Sequence, residues 1–520
     1  MQEDEIQFEV VEPLSRLTQQ EIAFFNQHVR GKSREEVLCR LKQDVQTACT
    51  IELATIPIYL YSYYSLVRDR VSGADLTPEQ IFANKAGAGI MSVAVEEMLH
   101  MSLASNLYYA LTGTPPKLYG SSPASYPTGL PYHNPLGPEG PEGIKDAPVS
   151  IPLGKFGYEQ LWHFLQIENP GPRELPPKDR DWDTIGQFYS FIRCLILSEH
   201  LTDADFSVGA TRFQIQPYNY SPNNVDTVFP RKSFDPWKAP EDKDSAAQAA
   251  VFTNAPESHT RSTPLITIRS KLDALAAIDT ICDQGEGFNR QPTDDPSGDE
   301  LSHYYKFLTL QAQFDQYAQR VEQLPDMPAP PAPVAPAMND RALMESQVLF
   351  DFPQSPKLAQ YPPSLRPIVE FCNGLYQYML IMTETIFYVE AEPDAEDEQQ
   401  SQKYYFNIAL HRSMIWVLDK YVQTMRNIQV SSGPYAGKVL APTFEFVNLG
   451  PPAGSFARLK QLGQAAVDAA RSARLADVDG SVAGNITYYV ETALTRMQGH
   501  KSMHLPDVGD YFDLRPQPIQ

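Results

Sequence analysis

The chain has 520 residues, a net charge of −22 and a pI near 4.9. This length suffices for two or three domains, and the negative charge disfavours nucleic acid as a partner because phosphate backbones would be repelled. The acidic N-terminus does not resemble a signal peptide, and no uninterrupted apolar 20-mer follows, so we expect no membrane partner. The five cysteines lack C-x-x-C spacing, which is typical of reduced thiols in a cytoplasmic protein.

A Pro- and Ala-rich segment, LPDMPAPPAPVAP at residues 324–336, divides the chain into two parts. Alternating Pro and Ala favour an extended spacer that cannot pack a core. We therefore predict an N-terminal segment at 1–40, a first domain at 41–322, a linker at 323–340 and a helical region at 341–520.

Apolar periodicity predicts helices in both parts of the chain. The predicted helices cover residues 34–67, 81–111, 183–200 and 263–283, a segment beginning near 299, and then 365–390, 403–428, 459–474 and 485–497. Two long irregular stretches, 114–157 and 214–261, separate the helices of the first part. Loops of that length more often cover or bind something than merely connect helices.

The first long helix contains an acidic residue where a charge is costly. Residues 45–67 are apolar or weakly polar on nearly every face, and their only formal charge is Glu52. Burial of an unpaired carboxylate costs several kcal/mol or shifts its pKa until the group is neutral. Glu52 is therefore expected to be protonated, paired with a cation or bound to a metal.

The second helix repeats this pattern with a histidine added. Its charges near the middle are Glu96 and Glu97, followed by His100. Glu97 and His100 stand at i and i+3, so both side chains lie on one helix face and can reach one metal ion. Glu96 is the competing choice, because it stands at i−4 from His100. Two apolar helices with central acids favour a metal site over a simple Glu97–His100 pair.

The remaining ligands are less clear from the residues alone. The third predicted helix offers Gln187, a neutral and weaker donor, where a carboxylate is expected. Farther along, Glu286 ends a helical pattern, and His303 follows a polar insertion. Spacing favours Glu300 as the partner of His303 at i and i+3, but Glu300 lies in an Asp-rich run that is typical of a solvated surface.

Five segments together resemble one known family. They are IELATIPIYLYSYYS at 51–65, EEMLHMSLASNLYYALTGTPP at 96–116, TIGQFY at 184–189, IDTICDQGEG at 278–287 and LSHYYKF at 301–307. Their order and spacing resemble the ferritin-like domain of the iminophenyl-pyruvate dimer synthase family, the imine-coupling enzymes of violacein and rebeccamycin pathways. The resemblance implies an all-α fold: a ferritin-like four-helix bundle with long irregular loops at 41–322, followed by a mainly helical C-terminal region.

The same resemblance implies a set of metal ligands. The implied ligands are Glu52, Glu97, His100, Glu286 and His303, with Glu286 ranked above Glu300. The chain departs from the family at Gln187, where an acid is usual. The implied cofactor is one or two iron ions, with manganese as the alternative. Two divalent ions bound by three carboxylates would leave one positive charge unbalanced, which is unfavourable in a buried site. We therefore predict one of three outcomes: a single bound ion, a weakly held second ion, or a second ion completed by an anionic substrate.

The resemblance also implies a function. A non-haem iron oxidase or oxygenase would act on a small amino-acid-derived metabolite in secondary metabolism, with that substrate and dioxygen as partners. Two alternatives stay open: a metal-free structural or interaction module, and an iron storage or detoxification protein. The patterns do not identify catalytic residues, and they leave open whether the chain forms a homo-oligomer.

Overall fold

The regular secondary structure of the protein is helical throughout the described residues. The computed structural model describes residues 18–68, 78–123, 125–131, 133, 150–170, 175–220, 265–285, 302–322, 348–391, 402–406, 413–472, 481–494 and 505–512. Within these ranges the β-structure consists of isolated bridges, such as that between Leu66 and Leu349. The prediction of an all-α fold is thereby confirmed. None of the helices in these ranges has both the length and the apolarity that crossing a bilayer requires.

Thirteen α-helices lie in the described ranges. In chain order they are α1 Gln19–Phe24, α2 Arg34–Ser65, α3 Pro78–Thr112, α4 Tyr158–Ile167, α5 Ile185–Ile196, α6 Lys271–Gly285, α7 His303–Glu322, α8 Arg366–Thr385, α9 Gln402–Tyr405, α10 Leu418–Met425, α11 Pro452–Ser472, α12 Ser481–Leu494 and α13 Gly509–Phe512. Short 3-10 turns follow α5 and α8, and π-helical turns follow α1 and precede α10. The sequence predicts most of these helices but not α1, α4 or α13.

Helices α2 and α3 form the centre of the first part. Helix α2 begins with a capping box, in which Ser33 and Glu36 exchange side-chain and backbone hydrogen bonds. Cys49, midway along α2, contacts Ser105 near the end of α3, whereas Arg68, just past α2, lies against Gly87 near the start of α3. The two helices are therefore antiparallel. Helices α6 and α7 pack on α3, α5 packs on α2 and α6, and α4 packs on α7.

The second part is a helical layer that also contacts the bundle. Helix α8 packs on α10 and α11, and α12 packs on both. The link to the bundle includes a buried ion pair, in which Arg68 Nη2 lies 2.9 Å from Asp419 Oδ1 on α10. Arg426, just after α10, donates to the backbone oxygens of Tyr64 and Leu66 at 2.7 and 2.9 Å. The second part therefore caps the C-terminal end of α2.

Glu384, at the end of α8, provides another contact between the two parts. One oxygen of its carboxylate accepts hydrogen bonds from the backbone N–H groups of Leu118 and Tyr119, at 2.7 and 2.6 Å. Burial raises the pKa of Glu384 from 4.5 to about 7, although these two hydrogen bonds lower it. The carboxyl group is therefore easier to protonate in the folded protein than in the unfolded chain.

We expect this shift to make stability fall as the pH rises. Because the folded pKa lies above the unfolded one, the contribution of Glu384 is fully present below pH 4.5 and is lost through about pH 7. It amounts to at most about 3 kcal/mol. In Glu384→Gln, which keeps an acceptor oxygen but cannot titrate, the urea midpoint should vary less between pH 5 and 8. Glu384→Ala should have a lower urea midpoint throughout that range. Parallel profiles of urea midpoint against pH for the parent and Glu384→Gln would contradict the raised pKa of Glu384.

Candidate metal centre

Three glutamates and two histidines from four helical elements meet in the interior of the bundle. They are Glu52 on α2, Glu97 and His100 on α3, Glu168 immediately after α4, and His303 at the start of α7. Each of these five residues is at most 3 % exposed. One ligand atom from each of Glu97, His100 and His303 can be chosen so that all three lie within 4.8 Å of one another. The bundle thus concentrates charge in a place from which water is largely excluded.

One nitrogen of each imidazole faces the carboxylates. His303 Nδ1 lies 2.9 Å from Glu97 Oε1 and 3.5 Å from Glu168 Oε2. His100 Nδ1 lies 3.7 Å from Glu52 Oε2. The two rings stack, with their centroids 5.2 Å apart. Nδ1 is therefore the nitrogen that each histidine presents to the centre of the cluster.

The other imidazole nitrogen points away from the cluster. His100 Nε2 lies 3.1 Å from the amide oxygen of Gln284, and His303 Nε2 lies 2.8 Å from Glu96 Oε2. Both partners accept a hydrogen bond from an Nε2–H group. A neutral histidine that carries its proton on Nε2 has a free lone pair on Nδ1. With the proton kept on Nε2, each ring would present to a metal ion the Nδ1 lone pair that a ligand needs.

A hydroxyl group holds one oxygen of each carboxylate in the cluster. The donor and acceptor pairs are Tyr189 with Glu52 Oε1, Thr55 with Glu97 Oε2 at 2.9 Å, and Tyr59 with Glu168 Oε1. In each case the other carboxylate oxygen is the one that faces a histidine Nδ1. The three carboxylates are therefore oriented by donors from outside, with one oxygen each directed inward.

The charged groups in the cluster strongly shift one another's pKa values. Burial and the negative charges of Glu168 and Glu52 raise the pKa of Glu97 well above its ordinary value. Burial would also raise the pKa of Glu52, but the hydrogen bond and charge of His100 outweigh it and lower that pKa. For His303, burial lowers the pKa, yet the carboxylates, Glu168 foremost, raise it well above the ordinary value. Protons thus balance charge here, in positions where a cation could replace them.

The residues fit a metal ion on structural grounds. His303 Nδ1 is buried and makes no hydrogen bond of normal geometry in the described part of the chain. Gly285, the last residue of α6, leaves space: a Cβ atom there would lie 3.8 Å from Glu168 Oε2 and 3.9 Å from His100 Cε1. Carboxylate and imidazole together suit iron or manganese.

The structure separates the predicted ligands into groups. Glu52, Glu97, His100 and His303 come together, as described above. Glu286 and Glu300 lie outside the described residues, although the chain reaches the cluster at Gly285, immediately before Glu286.

Gln187 has a different role in the structure. Its side-chain oxygen accepts hydrogen bonds from the backbone N–H groups of Asp183 at 2.8 Å and Thr184 at 3.3 Å, and its amide donates to the Pro176 oxygen at 2.9 Å. Gln187 and Thr184 form the capping box at the start of α5. The residue that occupies an expected carboxylate position in the sequence is thus an N-terminal helix cap.

The sequence patterns do not predict Glu168 as a member of the cluster. Leu161, Phe164 and Glu168 stand at i, i+3 and i+7, so the apolar face of α4 ends in an acid on the same side. That pattern, followed by Asn-Pro, was the available signal. Glu168 is only 2 % exposed and accepts a hydrogen bond from the Tyr59 hydroxyl. The cluster therefore holds a third carboxylate that does not depend on Gln187.

A comparison with protein-family models supports the fold. No curated protein matches the chain. A solved structure of a ferritin-like protein from Caulobacter vibrioides is similar at 19 % identity, covering 73 % of this chain and 96 % of that one, with a TM-score of 0.34. A model of the ferritin-like family matches residues 45–312, just over half of the chain and the part that holds every residue of the cluster. The chain belongs to the ferritin-like family.

Proposed function

We propose that the protein is a non-haem iron oxidase or oxygenase. The observation that carries this proposal is the convergence of three carboxylates and two imidazoles, all buried and all oriented by hydrogen bonds from outside the cluster. A structural module would not require so many like charges at one buried point, because each costs free energy to desolvate. A bound metal offsets that cost.

The chain's own residues would divide the work of holding iron. Glu52, Glu97 and Glu168 would supply carboxylate oxygens, while His100 and His303 would supply Nδ1. Iron held there would supply the one-electron and dioxygen chemistry that protein side chains lack. The buried walls would exclude bulk water from the reacting groups.

Charge balance favours two ions over one. Glu52, Glu97 and Glu168 carry three negative charges when ionised. Glu286, which remains a predicted ligand, would bring the total to four and match two divalent ions without a surplus. An anionic substrate, one of the three outcomes that the sequence predicts for a site with three carboxylates, is then not needed to balance the charge. We propose two iron ions, with manganese as the alternative metal.

The substrate proposal rests on the family resemblance of the sequence motifs. A relationship to iminophenyl-pyruvate dimer synthases points to a small amino-acid-derived metabolite, with dioxygen as the second reactant. Fold alone does not determine a substrate, so this part of the proposal needs its own assay. Dioxygen consumption by the iron-loaded protein, screened against amino-acid-derived imines and 2-oxo acids, provides it.

Iron loading followed by exposure to dioxygen tests the proposal directly. We expect metal-free protein, loaded with Fe²⁺ without oxygen and desalted, to retain about two ions per chain and then to consume dioxygen. Glu97→Ala should lose both properties, because Glu97 contacts His303 at the centre of the cluster. Retention of no iron by the parent would indicate a metal-free module, and uptake of a mineral core would indicate storage.

A further inference from the structure

A buried ion pair lies directly behind His303. Glu96, next to Glu97 on α3, is 7 % exposed, and Lys306, one turn after His303 on α7, is 3 % exposed. Lys306 Nζ forms an ion pair with Glu96 Oε2. The same oxygen of Glu96 lies 2.8 Å from His303 Nε2. One carboxylate oxygen thus contacts both a lysine and the outer nitrogen of the imidazole.

Helix geometry separates Glu96 from the group of ligands. Adjacent residues on an α-helix point about 100° apart, so Glu96 and Glu97 cannot face the same point. Glu97 Oε1 lies at the inner nitrogen of His303, Nδ1, whereas Glu96 Oε2 lies at the outer nitrogen, Nε2. His303 is thus held between two adjacent glutamates, each at a different ring nitrogen.

The two histidines of the cluster differ in what supports them. The outer nitrogen of His100 meets the neutral amide oxygen of Gln284, whereas that of His303 meets a carboxylate. A carboxylate behind a histidine ligand fixes the ring and makes it a stronger donor to the metal. Lys306 balances the charge of Glu96, so this support adds no net charge next to the cluster.

We propose that Glu96 and Lys306 form a positioning pair that orients His303 and makes it the stronger imidazole ligand of the centre. This inference rests on the proposed function, since it concerns the same metal. Glu96 holds the Nε2–H group of His303, and Lys306 holds the carboxylate of Glu96 in place. Neither residue belongs to the group of side chains that would hold the metal. We therefore expect the metal affinity to depend on Glu96 and Lys306, although neither is a ligand.

Titration of the metal-free, full-length protein with Co²⁺, followed by visible absorption, tests this role. The key variant is Glu96→Leu with Lys306→Met, because removal of one partner alone would leave a buried unpaired charge. We expect it to bind Co²⁺ about 10–100-fold more weakly than the parent while the metal-free protein melts at the parent temperature. Restoring a neutral acceptor, with Glu96→Gln and Lys306→Met, should regain part of the affinity. Gln284→Leu, which removes the acceptor behind His100, should lower the Co²⁺ affinity by less than the double variant does.

A second buried ion pair provides the matched control. Arg68→Met with Asp419→Leu removes a pair that lies about 20 Å along α2 from Glu52, and it should leave Co²⁺ affinity unchanged. Parent-like affinity in the Glu96/Lys306 double variant would overturn the inference alone. A purely structural role would also overturn the inference. It would appear as a lowered melting temperature of the metal-free Glu96/Lys306 double variant, together with an equal loss of Co²⁺ affinity in the Arg68/Asp419 control. Failure of the parent itself to bind Co²⁺ would refute the proposed function as well.

Discussion

Glu168→Gln is expected to lower metal affinity by more than the roughly 10–100-fold that changes outside the ligands cause. The substitution removes one of the three negative charges of the described cluster and replaces a carboxylate with a neutral, weaker donor. It keeps nearly the same volume, and the amide oxygen can still accept the hydrogen bond from the Tyr59 hydroxyl. Iron per chain, measured after anaerobic loading and desalting, should therefore fall by about one ion while the protein stays folded.

Gln187→Glu is the matched control for this prediction. Gln187 occupies the sequence position where an acid is expected, yet its side chain caps α5. A glutamate there can still accept hydrogen bonds from the backbone N–H groups of Asp183 and Thr184, so we expect the iron content to stay at the parent value. Extra iron in Gln187→Glu, together with unchanged iron in Glu168→Gln, would reverse the assignment of these two residues.

Arg68→Met is expected to destabilise the protein by about 3–5 kcal/mol, because it leaves the carboxylate of Asp419 buried without its cation. Both side chains of this pair are at most 2 % exposed. The arginine also lies over the Tyr63 ring, with its guanidinium carbon 3.5 Å from the ring centroid. The loss should appear as a lower denaturation midpoint, since the pair joins α10 to the end of α2.

The double variant separates the buried charge from the packing. Arg68→Met with Asp419→Leu removes both charges, so it should recover most of the stability that the single variant loses. A single variant that is as stable as the double variant would show that Asp419 is not left as a buried charge. Stability measured in metal-free protein isolates this effect from any change in metal content.

The sequence alone determined where charges would be costly. Because apolar residues cover nearly every face of α2 from residue 45 onward and of α3 after Lys85, both segments had to be buried, and any charge inside them needed a partner. The spacing of Glu97 and His100 is equally local, since helical geometry places i and i+3 on one face. These arguments depend only on near neighbours in the chain, which is why the sequence singles out Glu52, Glu97 and His100 as buried groups that need a partner.

The tertiary structure alone decided which side chains meet. Glu168 lies 109 residues from the Tyr59 hydroxyl that orients it, so no local pattern links the two. The opposite case is Gln187, whose side chain turns to its own helix terminus rather than to the cluster. Glu96 and Glu97 are adjacent in sequence, yet the rotation of α3 directs one to each nitrogen of His303. Periodicity thus determines which faces are buried, whereas the packing of distant helices determines what each buried group contacts.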